Sequence, residues 1–415
     1  MITSGYSLIF WLIIFFILSE ALIDFFIDRR NSKSWLLPVP EILKDVYDKQ
    51  EYRKAQNYHA ETERLSSVVS ILGIIIMLLF LFFKGFAHTY LWVISVTSNE
   101  ILQVLLFFGL FMIVSDIIGL PFELYRVFVI EEKYGFNKMN VKTFFSDKLK
   151  GYGIGFVVGG ILLSAFVWFY NNTGHYFWIY AWILFTVFSV FMAIFYTSLI
   201  VPVFNKLNPL EEGSLRTKIE TFAKSVQFPL TNIFVIDGSK RSTKANAYFS
   251  GLGNKKTIVL YDTLIQKHSE EELVAILAHE VGHYKMKHIQ KSLLIGILQM
   301  GAILYILSLA INLPQLTTAL GLETTTPIFA LGLIAFSMLY APVSMIVSLV
   351  MNIFSRKNEF EADHYAKVHI GSGKHLISAL KKLSSNNLSN LNPDKWYVFV
   401  HYSHPPLKER IEKLL

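Results

Sequence analysis

Seven apolar runs constrain this chain of 415 residues more than any other feature, at about 6–27, 66–84, 101–121, 151–170, 176–204, 290–312 and 328–354. A bilayer core offers no partner to backbone N–H and C=O groups, so runs of about 20 apolar residues cross it as helices. The expectation is a mainly α integral membrane protein with seven transmembrane helices. Composition agrees, since 53% of the residues are hydrophobic and only 17% charged, outside the soluble range. The first run, Tyr6 to Ile27, has neither a basic leader nor a small-residue cleavage site, which predicts a retained helix and no signal peptide. The final residues, Glu412-Lys413-Leu414-Leu415, carry no lipidation box.

Basic residues set an orientation. The loop at 28–65 carries Arg29, Arg30, Lys33, Lys44, Lys49, Arg53, Lys54 and Arg64, and the loop at 122–150 carries Arg126, Lys133, Lys138, Lys142, Lys148 and Lys150. The opposite loops, about 85–100, 171–175 and 313–327, have no Lys or Arg, although Lys84 sits at the edge of the first. Positive charge stays inside, so the N-terminus is expected outside, with the polar regions 205–289 and 355–415 cytoplasmic. The formal charge of +7 is explained by this distribution, and no nucleic-acid partner is expected. Without a retention or targeting tail, a bacterial inner membrane is the preferred location, and the endoplasmic reticulum the eukaryotic alternative. Asn171-Asn172-Thr173 fits a glycosylation sequon, which only a secretory-pathway protein would use.

Glu20, Asp24, Asp116 and Glu123 lie within or at the ends of spans. Such groups either serve a function or pair with basic residues near helix ends.

Between the fifth and sixth spans the periodicity changes. Leu210, Leu215, Ile219, Phe222 and Val226 suit an amphipathic helix over 210–227, whereas Ile233–Ile236, Ala247–Phe249 and Thr257–Leu260 are short and β-rich, separated by Gly/Asn turns. A small sheet is predicted, leading into a helix that starts at Ser269-Glu270-Glu271-Glu272, a capping hydroxyl followed by acids. The strand ending at Asn246-Ala247-Tyr248-Phe249 either holds an extended substrate by backbone pairing or is a plain structural hairpin.

That helix contains His279-Glu280-Val281-Gly282-His283. Imidazoles at i and i+4 share one face at a separation suited to one Zn²⁺, with Glu280 offset so as to act on a water held there. The chain has no cysteine, so a third ligand must be a His or a carboxylate. The elongated metzincin pattern is excluded, because Met286 and Ile289 stand where it needs Gly and His. Just after the seventh span comes Asn358-Glu359-Phe360-Glu361-Ala362-Asp363. Glu359 and Asp363 share a helical face and Glu361 points away, which assigns Glu359 to the metal and Asp363 to orienting His279. Glu361 is the alternative ligand, and a solvated acidic helix start is the reading without chemistry. On a continuous helix His283 lies about 15 Å from the sixth span, so the zinc is expected close to the membrane plane.

Of the other histidines, His288 is rotated about 140° beyond a full turn from His283, which suits packing or an indirect contact. His268, His364, His369 and His375 read as ordinary surface residues. In the stretch from His401 to Arg410, His404 precedes Pro405-Pro406 and Arg410 lies on the helix that follows. This is either a solvated helix start or a clamp for a tetrahedral oxyanion.

Together these residues resemble the zinc CAAX prenyl endopeptidases, the membrane family that processes the yeast a-factor precursor and prelamin A, with the bacterial heat-shock protease HtpX as a distant relative. The resemblance covers nearly the whole chain, as for a bacterial-type member. Five blocks carry it in one order: Phe128-Val129-Ile130-Glu131-Glu132-Lys133-Tyr134-Gly135-Phe136-Asn137; Gly238–Ser242 with Asn246–Phe249; His279–His283; Glu359–Asp363; and Ser403-His404-Pro405-Pro406.

It implies seven spans enclosing a water-filled chamber and a small α+β, gluzincin-like zinc-metallopeptidase domain. One zinc ion would be held by His279, His283 and Glu359, with Glu280 as general base. Substrate contacts would come from Asn246, His404 and Arg410. Lys244 departs from the pattern, since animal relatives are expected to have a His two residues before that Asn. The expected division is 1–204, a membrane domain with five spans, and 205–415, a peptidase domain that includes spans six and seven. Cleavage of C-terminally prenylated proteins and broad quality-control proteolysis need the same chemistry. A non-enzymatic membrane binder that kept the fold is the reading from another class.

Overall fold

A computed structural model describes residues 7–250 and 256–415. Tyr6, where the first apolar run begins, and the turn expected at 251–255 lie outside the described residues.

The N-terminal half is mainly helical, and several of its helix starts are capped by side chains. α1 (Leu8–Ser34) begins at Ser7, whose hydroxyl accepts from the Phe10 N–H at 3.2 Å. α2 (Lys49–Phe82) opens with a capping box between Asp48 and Glu51. α3 (Gly85–Val96) occupies the expected loop at 85–100; twelve residues rise only about 18 Å, too short to cross a bilayer. Asn99 caps α4 (Glu100–Tyr125), which continues into a π-helical turn over Arg126–Glu131. α5 (Val141–Ile154), capped by Asn140, runs through a second π-helical turn, Gly155–Gly159, into α6 (Gly160–Thr173). α7 (Phe177–Leu199) and the short α8 (Val201–Phe204) complete this half.

Among the described residues, six helical stretches are long and apolar enough to cross a membrane. One of them, Val141–Phe204, holds the expected fourth and fifth spans, because the chain reverses at Gly174 with φ +54° and α7 returns alongside α6. Within the apolar windows only 6–22% of the residues are buried. Most of their surface thus faces outward or into open space and not into a packed protein core. Two of the intramembrane acids have partners: Lys148 of α5 meets Asp116 and Glu123 of α4, each at 2.7 Å. Asp24 faces His401 at 3.9 Å.

The second half starts with β1 (Leu207–Pro209), α9 (Ser214–Ser225), β2 (Leu230–Ile236), β3 (Ala247–Ser250) and β4 (Lys256–Tyr261). The sheet order is β1-β2-β4-β3, with β2 and β4 parallel and β3 antiparallel at an edge. α9 turns Ile219, Phe222 and Ala223 into a core shared with Ile258, Leu260 and the inner face of the helix that carries His279 and His283. The chain continues as α10 (Asp262–Lys267), α11 (Glu270–Lys285), α12 (His288–Ala310), α13 (Pro314–Ala319), α14 (Phe329–Ile370), α15 (Lys374–Asn386), α16 (Lys395–His401) and α17 (Leu407–Leu414).

α11 does not run on continuously into the sixth span. It stops at Met286, and Lys287 takes a left-handed conformation at φ 59° before α12 begins. α14 is the opposite case, a single helix of 42 residues that leaves its apolar part and carries Glu359 and Asp363 on its last turns.

Candidate metal centre

α11 begins at Ser269 with the expected capping box to Glu272. Glu272 is buried and extends that cap into a network, accepting from Ser378 Oγ at 2.6 Å and from Lys382 Nζ at 2.8 Å on α15. Two turns further on, His279 and His283 point the same way, with their Nε2 atoms 3.2 Å apart. α14 crosses α11 at Gly282, where the absence of a side chain lets the backbone at Ala362 come close.

This crossing delivers Glu359. One of its oxygens lies 3.2 Å from His283 Nε2 and the other 3.5 Å from His279 Nε2. The three ligand atoms lie within 4.8 Å of one another, the one such cluster among the described residues. Zinc bonds of about 2.0–2.1 Å in a tetrahedron separate neighbouring ligand atoms by about 3.3 Å, so the donor set fits that ion. Glu359 Oε2 is buried and faces only His279 Nε2 at 3.5 Å and Arg410 Nη1 at 3.4 Å, without a well-formed hydrogen bond among the described residues.

Asp363 is 1% exposed and sits 2.8 Å from His279 Nδ1. With Nε2 turned to a metal, Nδ1 carries the hydrogen and donates it to this carboxylate. Arg410 of α17 grips the same carboxylate with two bonds, Nε at 2.8 Å and Nη2 at 2.6 Å, while Nη1 stands 3.4 Å from Glu359. Arg410 is therefore buried and largely engaged with acids. Burial pulls the His279 imidazole towards the neutral form, but the bonds to Asp363 and Glu359 outweigh it and raise its pKa to about 9 in the metal-free chain. Burial raises the Glu280 carboxyl above its ordinary value, and the nearby imidazoles oppose this less strongly.

His404 lies at the open side of the cluster. Its Nε2 is 3.5 Å from Glu359, its Nδ1 is 3.0 Å from Ser403 Oγ, and its side chain is 65% exposed. A cavity of about 520 Å³ adjoins it, lined among others by Asn387, Asn390, His401 and Arg410. Asn246 immediately precedes the edge strand β3; it is exposed, and its carbonyl accepts from the Tyr261 N–H at 3.1 Å. Lys244 points back to the membrane domain, 3.1 Å from Glu131, 3.2 Å from the Tyr58 hydroxyl and 4.5 Å over the Phe136 ring.

One expectation needs correction. His268 is no surface residue: it is buried at the turn between α10 and α11, with Nδ1 3.0 Å from the Leu264 carbonyl. His288, expected to pack or to make an indirect contact, does both: it is buried, and the break at Lys287 brings its Nδ1 to 3.0 Å from His283 Nδ1. Gly282 carried a backbone signal that reading the motif only for its ligands passed over.

A two-histidine helix, a carboxylate from a second helix and a surround of apolar spans define a membrane-embedded metallopeptidase. Comparison with known proteins agrees. The family described as CAAX prenyl protease N-terminal, five membrane helices, matches residues 29–206, and peptidase family M48 matches residues 209–415. A CAAX prenyl protease 1 homolog of Oryza sativa is 37% identical, over 96% of this chain and 95% of its own length. A human CAAX prenyl protease 1 homolog is 33% identical, over 91% and 88%. The crystal structure of S. mikatae Ste24p superimposes with a TM-score of 0.91 at 32% identity, covering both chains completely. This chain belongs to peptidase family M48 and is a membrane metalloprotease of the CAAX protease type.

Proposed function

We propose that the protein is a zinc endopeptidase that removes the C-terminal residues of prenylated CAAX proteins, with its catalytic half on the cytoplasmic side of the membrane. One observation carries the zinc assignment: two imidazole nitrogens and a carboxylate meet at separations of 3.2–3.5 Å, the spacing of a tetrahedral site. His279, His283 and Glu359 would hold the ion, which when bound supplies Lewis acidity enough to make water a nucleophile near neutral pH.

The remaining steps belong to side chains. Glu280, next to a ligand and raised in pKa by burial, takes the proton of the attacking water and passes it to the departing amine. His404, beside Glu359 and open to the cavity, donates to the oxygen of the tetrahedral intermediate. Arg410 holds Asp363, and through it His279, while its Nη1 adds positive charge on the same side. Asn246 sits where an extended peptide would add to the free edge of β3.

The prenyl assignment is supported by the names of the relatives and by a metal site on helices continuous with, or adjacent to, spans. Residues 1–204 would wall the chamber and 205–415 supply the peptidase. The cytoplasmic orientation is supported by the basic loops at 28–65 and 122–150. The test compares a prenylated CAAX peptide, its unlipidated twin and an unrelated peptide, using the wild-type protein and Glu280→Ala with and without chelator, beside elemental analysis for zinc. Cleavage of the prenylated peptide alone is expected. Equal cleavage of all three would replace this reading with quality-control proteolysis.

A further inference from the structure

His288 is 3% exposed, is not one of the three metal-binding residues, and is held from both sides. Its Nδ1 lies 3.0 Å from His283 Nδ1, and its Nε2 lies 3.0 Å from an oxygen of Glu361. The other oxygen of Glu361 stands 3.8 Å from Lys357. We propose that His288 and Glu361 form a second orienting arm of the metal centre, which fixes the tautomer and ring angle of His283 as Asp363 fixes those of His279. The inference rests on His283 being a zinc ligand.

Hydrogen-bond polarity makes the arm directional. If His283 offers the Nε2 lone pair to a metal, its Nδ1 carries the hydrogen and can only donate. The facing Nδ1 of His288 must then accept, which places the His288 hydrogen on Nε2, where the Glu361 carboxylate receives it. Each donor in the chain meets an acceptor, and no other assignment keeps both contacts. His288 itself cannot bind the ion, because it meets the far nitrogen of His283.

The backbone is shaped for this contact. On an uninterrupted helix residue 288 would turn away from residue 283, but Lys287 adopts φ 59° and α12 starts with His288 folded back. A left-handed backbone is unfavourable for a residue with a β-carbon. The two α14 acids Glu359 and Glu361 thereby serve one histidine from opposite ends: Glu359 stands at the metal side of His283, and Glu361 holds the residue behind it.

The experiment measures zinc affinity of the purified full-length protein by chelator competition, with thermal unfolding of the metal-free protein alongside. His288→Phe keeps the bulk and removes the acceptor; His288→Asn restores an acceptor at the Nδ1 position. Glu361→Leu tests the outer partner at a half-exposed position where replacement leaves no cavity. His288→Phe and Glu361→Leu are each expected to weaken zinc binding by about 10–100-fold, the usual effect of losing such a partner. His288→Asn is expected to recover most of the loss. Wild-type affinity in His288→Phe and Glu361→Leu would overturn the arm and leave the metallopeptidase reading standing, whereas a wild-type protein without bindable zinc would overturn both.

Discussion

Gly282 and Ala362 set how closely the two ligand-bearing helices approach: a β-carbon on Gly282 would stand 3.0 Å from the Ala362 Cα and 3.1 Å from its carbonyl oxygen. Gly282→Ala should gain about 1 kcal/mol of helix propensity and lose about 1–3 kcal/mol to overpacking, a net loss of about 0–2 kcal/mol. The metal site has no such partial compensation, because α14 must shift and carry Glu359 away from His279 and His283. Zinc affinity should fall while the unfolding temperature of the metal-free protein drops only modestly. Unchanged affinity in this variant would show that the crossing does not set the site.

Glu280→Gln keeps the shape and removes the proton acceptor. His279, His283 and Glu359 remain, so the protein should hold zinc as the wild type does. Turnover should drop by roughly 10²–10⁴-fold, the usual contribution of a general acid–base group. Metal content and single-turnover rates measured on one preparation check this, and a near-normal rate would remove Glu280 from the mechanism.

Asp363 and Arg410 are both buried and joined by two hydrogen bonds. Removing one partner takes the main counter-charge from the other, which costs up to about 3–5 kcal/mol. Asp363→Ala and Arg410→Ala should both destabilise the fold. Only Asp363→Ala also strips His279 of its acceptor, so zinc binding should weaken more in that variant. A double-mutant cycle on unfolding and on zinc affinity separates the two effects, and equal zinc affinities in the two single variants would contradict the division of roles.

Much of this was legible in the chain. The apolar runs announce the spans, and His279-Glu280-Val281-Gly282-His283 announces the ligand face, because a helical repeat converts spacing directly into direction. Glu359 and Asp363 could be assigned for the same reason, once the motif demanded a carboxylate. What spacing could not show depends on breaks in the repeat or on contacts between distant segments. His288 could be read as packing or making an indirect contact, but not as meeting His283 Nδ1, because that contact depends on the left-handed backbone at Lys287. α3 was read as a loop because it is too short to span, although one face is buried. Lys244, marked only as a departure from its relatives, meets Tyr58 of α2 and Glu131 and Phe136 of the stretch after α4.

Glu272 links the start of the metal-binding helix to α15, and this link should give stability a pH dependence. Burial raises its carboxyl pKa, but the bonds from Lys382, Ser378 and the Ser269 N–H outweigh burial and set it below the ordinary value. A carboxylate depressed in the folded state contributes stability that is complete above its unfolded pKa of about 4.3 and is lost as pH falls through the lower folded value. Wild type should therefore exceed Glu272→Gln in unfolding temperature by a constant margin at neutral pH. That margin should shrink below about pH 4.3, as the unfolded carboxyl begins to bind protons that the folded one still excludes. Thermal unfolding in detergent across that range measures it directly. A margin that widens towards acid would mean that burial, and not the Lys382 and Ser378 bonds, governs Glu272.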